Sequence, residues 1–328
     1  MAKKAYVGVS NVAQEIKKIY VGVNGVARNV VKGYVGVNGV AQQFFPSQVV
    51  PDTWESISTL PIDFYQGTAV VYNDKIHILG GQDNPTAHYA WDGSSWSEIA
   101  ELPWNFTFGS AVVYNNEIHA FGPTPGFPYI GYHYKFNGTQ WTQDTNVPYS
   151  FNGNNRAVIY DGDAYTMCTN YGRDSQFSYC AKWNGSWTKF GNGDNSVYSN
   201  ACVYNNLIYM MGRSGDNSKY MSYDGTNFSA LTSIDPNTQF NFKNGAVVEY
   251  KGKMHIIGGN GSGYPNSGEA GKNYNNHYTW DGVNSLVHVA DLPYKFYGCP
   301  AVVYRGRIHI FGGYSSDDKK KHYAYGSN

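Results

Sequence analysis

Charged residues are scarce in this 328-residue sequence: they make up 15% of it, and 24 basic residues balance 24 acidic ones. A nucleic-acid-binding protein normally has an excess or a cluster of Lys and Arg. The longest basic run here consists of the three lysines at 319–321, a length typical of a solvated loop. The sequence therefore predicts no nucleic-acid partner.

Long apolar runs are also absent. No segment approaches the roughly 20 apolar residues that a membrane-spanning helix needs, so we expect no membrane insertion. The first residues, Met1-Ala2-Lys3-Lys4, are basic, but no continuous apolar segment follows them. A secretory signal normally has such a segment, so we expect the protein to be made in the cytoplasm without a signal peptide.

Cysteines number only four, and Cys168, Cys180, Cys202 and Cys299 do not have the spacing of a metal site. Without an export signal we expect buried free thiols, with a Cys168–Cys180 bridge across a hairpin as the alternative. The sequence has no G-x-S-x-G motif, no phosphate-binding loop and no identifiable pair of catalytic carboxylates. It therefore predicts no catalytic residues, no cofactor and no enzyme.

Glycine and aromatic residues are abundant instead, with 38 Gly, 30 Tyr, 16 Phe and 8 Trp. From residue 53 onward they recur in units of 42–55 residues. Each unit has an "AVVY"-like strand, a short turn, a second apolar strand and a third strand that ends in an aromatic residue before Asp-Gly or Asn-Gly. The first strands are at 69–72, 111–114, 157–160, 201–204, 246–250 and 301–304. With a fourth strand, each unit forms the antiparallel sheet of a propeller blade.

The six units are followed by only five fourth strands. The missing one precedes the first unit, because "TWESISTLP" at 53–61 matches "SWSEIAELP" at 95–103. An N-terminal strand that completes the last blade would close the ring and remove its exposed edges. We therefore predict an all-β protein with a six-bladed β-propeller at 53–328.

The repeats resemble those of the kelch family. The resemblance rests first on glycine pairs at 80–81, 258–259 and 312–313. It also rests on the aromatic residue before the third turn and on the fourth-strand tryptophans Trp96, Trp141 and Trp187. Blades 2 to 4 lack the glycine pair, which is a departure from the family pattern. The resemblance implies the propeller fold and leaves function open, because kelch propellers include enzymes, scaffolds and binding proteins.

Eight of the nine histidines occupy two repeated positions. One position, in the second strand, holds His77, His119, His255 and His309; the other, in the third strand, holds His88, His133, His277 and His322. Residues that recur with the blade are expected to pack or hydrogen-bond inside it. We therefore predict no metal site, and only His288 lies outside the pattern.

The predicted loops differ strongly between the two faces of the propeller. Connections between strands two and three are long, and antiparallel geometry places them on the same face as the loops that join successive blades. We call this the elaborated face and the other the plain face. Elaborated loops on a rigid scaffold are typical of binding sites. The candidate ligand-binding residues, in a setting that suits a sugar, are Phe127, Tyr129, Tyr171, Arg173, Tyr264, Tyr274, Trp104 and Tyr297. A second aromatic set either joins this face or fills the space between blades: Phe64, Phe106, Phe151, Phe242 and Phe296.

The first 45 residues contain a different repeat. "YVGVNGVA" occurs at 20–27 and 34–41 and "YVGVSNVA" at 6–13, so Tyr6, Tyr20 and Tyr34 are fourteen residues apart. Asn24-Gly25 suits a tight hairpin turn between β-forming residues. We predict a small β-meander module at 1–45 and a linker at 46–52. Such a small sheet needs a partner surface.

This repeat resembles short repeats in phage and prophage tail proteins and in baseplate proteins of phage-tail-like bacteriocins of Gram-positive bacteria. The resemblance implies a virion or tail protein, present in multiple copies, that assembles inside the host and leaves by lysis. It also implies docking onto other tail proteins through Tyr6, Tyr20, Tyr34, Phe44 and Phe45. The propeller would then bind a glycan or protein receptor on the host surface. The alternatives are an architectural subunit that contacts neighbouring particle proteins and a carbohydrate-active enzyme.

Overall fold

The structure is a computed structural model. It describes residues 52–123, 130–150, 156–167, 180–190, 198–213, 220–231, 244–261, 272–273, 275–284 and 286–327, together with the N-terminal strands given below. All regular secondary structure in these residues is β, and within them no helix has the length and hydropathy needed to cross a bilayer. The chain divides into two compact units, Met1–Thr53 with Gly326–Asn328, and Trp54–Tyr325.

The N-terminal unit contains three β-hairpins. Val9 pairs with Val12, Val23 with Val26 and Val37 with Val40, so each hairpin loop has two residues, the length that Asn-Gly turns favour. The hairpins form three separate two-stranded sheets. Their strands are β1 (Tyr6–Val9) and β2 (Val12–Glu15), β3 (Tyr20–Val23) and β4 (Val26–Asn29), and β5 (Gly33–Val37) and β6 (Val40–Phe45).

The second unit is a ring of six antiparallel sheets. It begins with β7 (Trp54–Thr59). Blade 1 consists of β8 (Thr68–Tyr72), β9 (Lys75–Leu79), β10 (His88–Trp91) and β11 (Trp96–Glu98). Blade 2 consists of β12 (Ser110–Tyr114), β13 (Glu117–Pro123), β14 (Ile130–Phe136) and β15 (Trp141–Gln143), with β16 (Val147–Ser150) added to β14. Blade 3 consists of β17 (Arg156–Tyr160), β18 (Asp163–Met167), β19 (Cys180–Trp183) and β20 (Trp187–Phe190).

The remaining three blades repeat this plan. Blade 4 consists of β21 (Tyr198–Tyr204), β22 (Leu207–Arg213), β23 (Tyr220–Tyr223) and β24 (Phe228–Leu231). Blade 5 contains β25 (Ala246–Tyr250), β26 (Lys253–Ile257), β29 (Asn276–Trp280) and β30 (Val287–Asp291), with the short pair β27 (Asn260–Gly261) and β28 (Lys272–Asn273) between its second and third strands. Blade 6 combines β31 (Ala301–Tyr304), β32 (Arg307–Phe311) and β33 (Lys321–Tyr325) with β7.

The predicted ring closure is confirmed. Strand β7 pairs with β33 so that Trp54 lies opposite Tyr325. Arg307 Nη2 donates to Glu55 Oε2 at 2.8 Å, which ties the N-terminal strand to the inner part of blade 6. The inner strands contact each other in the order β8, β12, β17, β21, β25 and β31, and β31 contacts β8. The ring therefore has six members, as the repeat count predicts.

Tight turns on the plain face join the first and second strands. Asn73 and Asp74 both have positive φ, at 48° and 52°, and Asn115 and Asn116 have 48° and 61°. Type I′ hairpin turns need this conformation at both central residues, and Asn and Asp adopt it more readily than other non-glycine residues. The many asparagines of this sequence are thus used in part to turn the chain between strands.

The glycine pairs allow one blade to pack closely against the next. Gly81 donates its backbone N–H to the Phe106 carbonyl oxygen at 2.8 Å, and a Cβ on Gly80 would lie 2.1 Å from that oxygen. Gly259 makes the equivalent bond to the Phe296 carbonyl at 2.8 Å. Phe64, Phe106 and Phe296 are fully buried, so they fill the space between blades. Phe151 and Phe242 lie outside the described residues.

The tyrosine that ends the inner strand joins neighbouring blades on the plain face. Its hydroxyl donates to a backbone carbonyl in the turn of the following blade. The bonds are Tyr160 to Asn206 at 3.1 Å, Tyr204 to Gly252 at 3.0 Å, Tyr250 to Gly306 at 2.9 Å and Tyr304 to Asp74 at 2.9 Å. The final Tyr of the "AVVY" phrase thus has a structural role that spans two blades.

Candidate functional site

The six inner strands enclose a central channel with two different sections. The wider section has a volume of about 470 Å³ and is lined mainly by Val and Ala side chains. The narrower section, about 120 Å³, lies where the inner strands begin, at the elaborated face. We call it the channel mouth; the residues that line it include Thr68, Ser110, Arg156, Asn200, Ala246 and Pro300. The described lining of the wider section is mostly apolar, with Glu249 as its charged residue, and the narrower section has more polar residues.

A chain of backbone hydrogen bonds connects four of the loops that lead into inner strands, those before blades 5, 6, 1 and 2. The N–H of Gly298 donates to the Asn244 carbonyl at 2.7 Å, and that of Gln66 donates to Gly298 at 3.0 Å. Phe108 continues the chain with a 3.0 Å bond to Gln66. We call these four residues the collar. All have φ between 57° and 70°, a strained conformation for the non-glycine members that persists only where the surroundings hold it firmly.

Three tyrosines form a cluster beside the collar. Tyr65 lies in the loop before blade 1, Tyr297 in the loop before blade 6, and Tyr314 in the loop between β32 and β33. Their ring centroids are 6.1 Å apart for Tyr65 and Tyr297, 5.4 Å for Tyr65 and Tyr314, and 5.8 Å for Tyr297 and Tyr314. Tyr65 is buried, whereas Tyr314 is 57% exposed. The tyrosine cluster therefore presents an aromatic surface to solvent on a buried base.

Collar amides hold two of these hydroxyls. Gln66 Nε2 donates to the Tyr65 hydroxyl at 3.0 Å, and Asn244 Nδ2 donates to the Tyr297 hydroxyl at 3.0 Å. Burial raises the pKa of Tyr65 well above its usual value, and the nearby Tyr297 and Cys299 raise this pKa further. The Tyr65 hydroxyl thus stays protonated and neutral at physiological pH.

The loop that holds Tyr314 is anchored at several points. The N–H of Phe64 donates to the Lys319 carbonyl at 3.0 Å, and Lys319 Nζ lies 2.8 Å from Asp83 Oδ2. Lys321 pairs with Asp318. The hydrogen bond to Asp83 raises the pKa of Lys319. The lysine run that composition alone assigned to a solvated loop is therefore partly ion-paired, and it fixes the loop beneath the tyrosine cluster.

Arg156 and Cys299 are two titratable groups near this end of the propeller. Arg156 lines the channel mouth in blade 3, and Cys299 lies in the buried core just before the inner strand of blade 6. Burial lowers the pKa of Arg156 to about 10, so its guanidinium is charged at neutral pH. Burial also raises the pKa of Cys299 to about 12. A thiol with that pKa remains protonated and is not an activated nucleophile.

Two of the predicted binding residues, Tyr297 and Trp104, lie in different surroundings. Tyr297 belongs to the tyrosine cluster. Trp104 is only 7% exposed and stacks on Tyr134, with ring centroids 4.3 Å apart and an interplanar angle of 15°. It also packs against Phe106 inside the core cluster of blades 1 and 2. Trp104 therefore has no open ring face for a ligand and is a packing residue, because the ring of its neighbour covers it.

The structure describes no side chain for the other predicted binding and attachment residues. Those in the long loops, which lie outside the described residues, are Phe127, Tyr129, Tyr171, Arg173, Tyr264 and Tyr274. The five predicted attachment residues lie in described strands of the N-terminal hairpins, but their side chains are outside the description; they are Tyr6, Tyr20, Tyr34, Phe44 and Phe45. Of the cysteines, Cys180, Cys202 and Cys299 form no disulfide among the described residues, and Cys168 lies outside them.

The repeated histidines form four buried pairs, one in each blade that contains them. In each pair, Nδ1 of the second-strand histidine faces Nε2 of the third-strand histidine. The distances are 2.8 Å for His77–His88, 2.9 Å for His119–His133, 2.8 Å for His255–His277 and 2.9 Å for His309–His322. The prediction that these residues pack and hydrogen-bond inside the blades is confirmed.

Backbone carbonyls determine the tautomers in two of these pairs. His88 Nδ1 lies 3.2 Å from the Ala100 carbonyl oxygen, and His133 Nδ1 lies 3.3 Å from that of Thr145. A carbonyl only accepts, so Nδ1 of each of these histidines must donate, and its Nε2 accepts from the partner histidine. Burial lowers the pKa of all four of these histidines to about 3 or 4, so both rings of each pair are neutral at physiological pH.

The same two carbonyls also link adjacent blades. Trp141 of blade 2 donates its indole N–H to the Ala100 carbonyl at 3.1 Å, and Trp187 of blade 3 donates to Thr145 at 2.8 Å. At the closure of the ring, Trp96 donates to Ser58 Oγ at 3.0 Å, and Ser58 Oγ lies 2.7 Å from His322 Nδ1. The repeated His and Trp positions thus form three hydrogen-bond chains, which join blade 6 to blade 1, blade 1 to blade 2, and blade 2 to blade 3.

The comparisons with known proteins agree with this architecture. No protein-family model matches the chain, and no curated protein matches it. Among solved structures, YjhT is similar with a TM-score of 0.65 at 14% sequence identity, over 82% of this chain and 95% of that one. The chain contains a six-bladed β-propeller. Similarity at this low identity shows the fold alone.

The sequence did not single out most of the site that the structure assembles. Tyr65 and Tyr314 were not among the candidates, and neither were the collar amides of Gln66 and Asn244. Arg156 had a signal that alignment of the repeats could have revealed, because blades 1, 2 and 4 have Thr68, Ser110 and Asn200 at its position. Tyr314 had no comparable signal, since the proximity of its loop to Tyr65 depends on closure of the ring.

Proposed function

We propose that this protein is a binding subunit of a phage-tail-type particle, whose propeller recognises a glycan-bearing receptor on the host surface. The observation that supports a binding role most strongly is the tyrosine cluster on the elaborated face. Tyr314 is exposed there, while Tyr65 and Tyr297 beneath it are held by amide donors of the collar. This arrangement resembles an aromatic platform built on a rigid base.

The chemistry of the cluster suits a carbohydrate. An aromatic ring packs against the C–H face of a sugar, while neighbouring amides and hydroxyls exchange hydrogen bonds with sugar hydroxyls. The collar bonds and the Lys319–Asp83 ion pair fix these groups before any ligand arrives. A preorganised site loses less conformational entropy on binding than a mobile one, which favours useful affinity for a small ligand.

The N-terminal hairpins supply the proposed attachment. They form two-stranded sheets that are too small to be stable without a partner surface, and their fourteen-residue repeat resembles repeats of phage-tail proteins. In this proposal, residues 1–45 dock onto other particle proteins in several copies. The propeller then faces outward from the particle.

Replacing Tyr314 with Ala tests the binding role. We expect binding to be about tenfold weaker, because the substitution removes the most exposed ring of the cluster while Tyr65 and Tyr297 remain. A glycan array would identify ligands for the full-length protein, and biolayer interferometry would measure the affinity of the variant. Val283→Ala is the control, since Val283 is 87% exposed in a turn on the plain face. Equal affinities for Tyr314→Ala and the native protein would contradict the assignment of the binding surface.

Deleting residues 1–45 tests the attachment role. We expect the remaining propeller to fold and to bind its ligand but to be absent from purified particles, as measured by immunoblotting. Unchanged incorporation would contradict the docking role. A position buried within the particle, seen by electron microscopy, would instead favour an architectural subunit. Cleavage of the bound glycan by the purified protein would favour an enzyme.

A further inference from the structure

The third-strand histidine of one blade and the fourth-strand tryptophan of the next blade occur together around the ring. The four pairs are His88 with Trp141, His133 with Trp187, His277 with Trp54, and His322 with Trp96. Blades 3 and 4 have Cys180 and Tyr220 at the histidine position, and the next blades then have Phe228 and Leu286 at the tryptophan position. The indole is thus present wherever the imidazole is present, which indicates a shared role at the joint between blades.

The two rings of each pair lie at nearly the same separation at all four joints. The centroid distances are 5.5 Å for His88–Trp141, 5.5 Å for His133–Trp187, 5.4 Å for His277–Trp54 and 5.7 Å for His322–Trp96. At three joints one oxygen bonds to both Nδ1 of the histidine and Nε1 of the tryptophan. It is the carbonyl oxygen of Ala100, that of Thr145, or the hydroxyl of Ser58.

The joint between blades 5 and 6 has both nitrogens but no such oxygen. Trp54 Nε1 and His277 Nδ1 are buried and have no hydrogen-bond partner among the described residues. His277 as a whole is 0% exposed. A buried polar group without a partner is costly, and here two of them belong to one pair of adjacent rings. This coincidence indicates an occupant that bonds to both nitrogens.

The register of the fourth strand explains why the protein supplies no oxygen here. In blades 5 and 6 the pairing of the third and fourth strands shifts directly after the histidine, which places Ala290 opposite His277 and Ser58 opposite His322. Ala290 and Ser58 are therefore equivalent residues. The Ser58 side chain provides the bridging hydroxyl at its joint, whereas the Ala290 side chain is a methyl group without an oxygen.

We infer that one internal water molecule binds between Trp54 Nε1 and His277 Nδ1, in the place that Ser58 Oγ has at the joint of blades 6 and 1. Water suits this site because its oxygen accepts from the indole N–H, and it can either accept from or donate to the imidazole. Buried waters in proteins typically bond to polar groups that otherwise lack partners.

The water would complete a fourth hydrogen-bond chain between blades. His255 Nδ1 lies 2.8 Å from His277 Nε2, so the chain would run from His255 through His277 and the water to Trp54. Trp54 is the first residue of the closing strand β7. The water would therefore tie blade 5 to the strand that closes the ring, a role that goes beyond the proposed function and does not depend on it.

High-resolution crystal structures of the full-length protein and of two variants test this inference. In the native protein we expect one ordered water about 3 Å from both Trp54 Nε1 and His277 Nδ1. Ala290→Ser supplies the hydroxyl, so we expect its Oγ to bond to both nitrogens and to displace the water. Ser58→Ala is the reciprocal variant, and we expect it to gain a water between Trp96 and His322.

Several results would overturn the inference. One is native electron density with no atom between the two nitrogens, and another is a direct bond from either nitrogen to a protein group. Chloride in this place, identified by its anomalous scattering, would show that the occupant is an anion. A water that remains in Ala290→Ser while the hydroxyl turns away would contradict the equivalence with Ser58. If Ala290→Ser does not fold, the native protein and Ser58→Ala decide.

Discussion

A single carbonyl oxygen in blade 1, that of Ala100, accepts hydrogen bonds from the imidazole of His88 and from the indole of Trp141 in the next blade. The imidazole in turn accepts from His77. Buried polar groups are costly unless each finds a partner, and this network provides partners for a carbonyl and three rings. At the residue scale, the repeated histidines therefore contribute to the joints between blades.

Acid should lower the stability of the propeller, because these buried histidines are neutral in the folded protein. Burial lowers the pKa of seven of the paired histidines to about 3 or 4, from 6.5 in a solvent-exposed histidine. Between those values the unfolded chain binds more protons than the folded one, so the free energy of unfolding falls as pH falls below about 6.5. Each histidine contributes up to about 1.4 kcal/mol per pH unit. Urea unfolding at pH 7.5 and pH 5 measures the effect.

A variant with one pair removed provides the control. His119→Tyr with His133→Cys copies the residues that blade 3 has at these positions, Tyr165 and Cys180. We expect its stability to depend less steeply on pH, by up to about 2.7 kcal/mol per pH unit for the two histidines lost. Equal stability of the native protein at both pH values would contradict the role of the pairs.

At the scale of elements, the position of each blade depends on close contact between one strand end and the loop of the next blade. Gly80 and Gly258 follow the second strand of blades 1 and 5, and a Cβ on either would lie within 2.3 Å of the carbonyl oxygen of Phe106 or Phe296. The phenylalanine then fills the space behind the glycine. This contact explains why the glycine pairs occur at strand ends, where the family resemblance placed them.

Gly80→Ala should destabilise the protein far more than Gly306→Ala. Both glycines have positive φ, at 61° and 75°, so each substitution costs about 1 kcal/mol in backbone strain. A Cβ on Gly306 has no atom within 4 Å, whereas a Cβ on Gly80 would lie 2.1 Å from the Phe106 carbonyl oxygen. We expect a further loss of about 3 kcal/mol for Gly80→Ala. Chemical denaturation compares the two variants, and equal losses would show that the clash is relieved without cost.

At the scale of the whole molecule, closure of the ring brings together distant parts of the chain. Strand β7 pairs with β33, and the same junction places Tyr65 beside Tyr297 and Tyr314. The candidate binding surface thus lies at the boundary between blades 6 and 1. A change that opens this boundary should affect both stability and binding.

Two truncations test the contribution of ring closure to stability. A chain that lacks residues 1–45 keeps β7, and we expect it to unfold cooperatively near the native melting temperature. A chain that lacks residues 1–60 loses β7 and exposes the edge of β33, so we expect its melting temperature to fall by roughly 10 °C or more, with self-association. Calorimetry and size-exclusion chromatography measure these outcomes. Similar melting temperatures for both chains would show that the ring is stable without its closing strand.

The amino-acid sequence by itself determined the number of blades, the closing strand and the structural role of the histidines within the blades. These features repeat along the chain, and repetition reveals a shared environment without coordinates. Only the tertiary structure decided that Trp104 is covered by Tyr134 and that Arg156 lines the narrower section of the channel. It also decided that Tyr65 meets Tyr314. Those outcomes depend on contacts between residues of different blades, and the spacing within one repeat contains no information about which side chains meet across the ring.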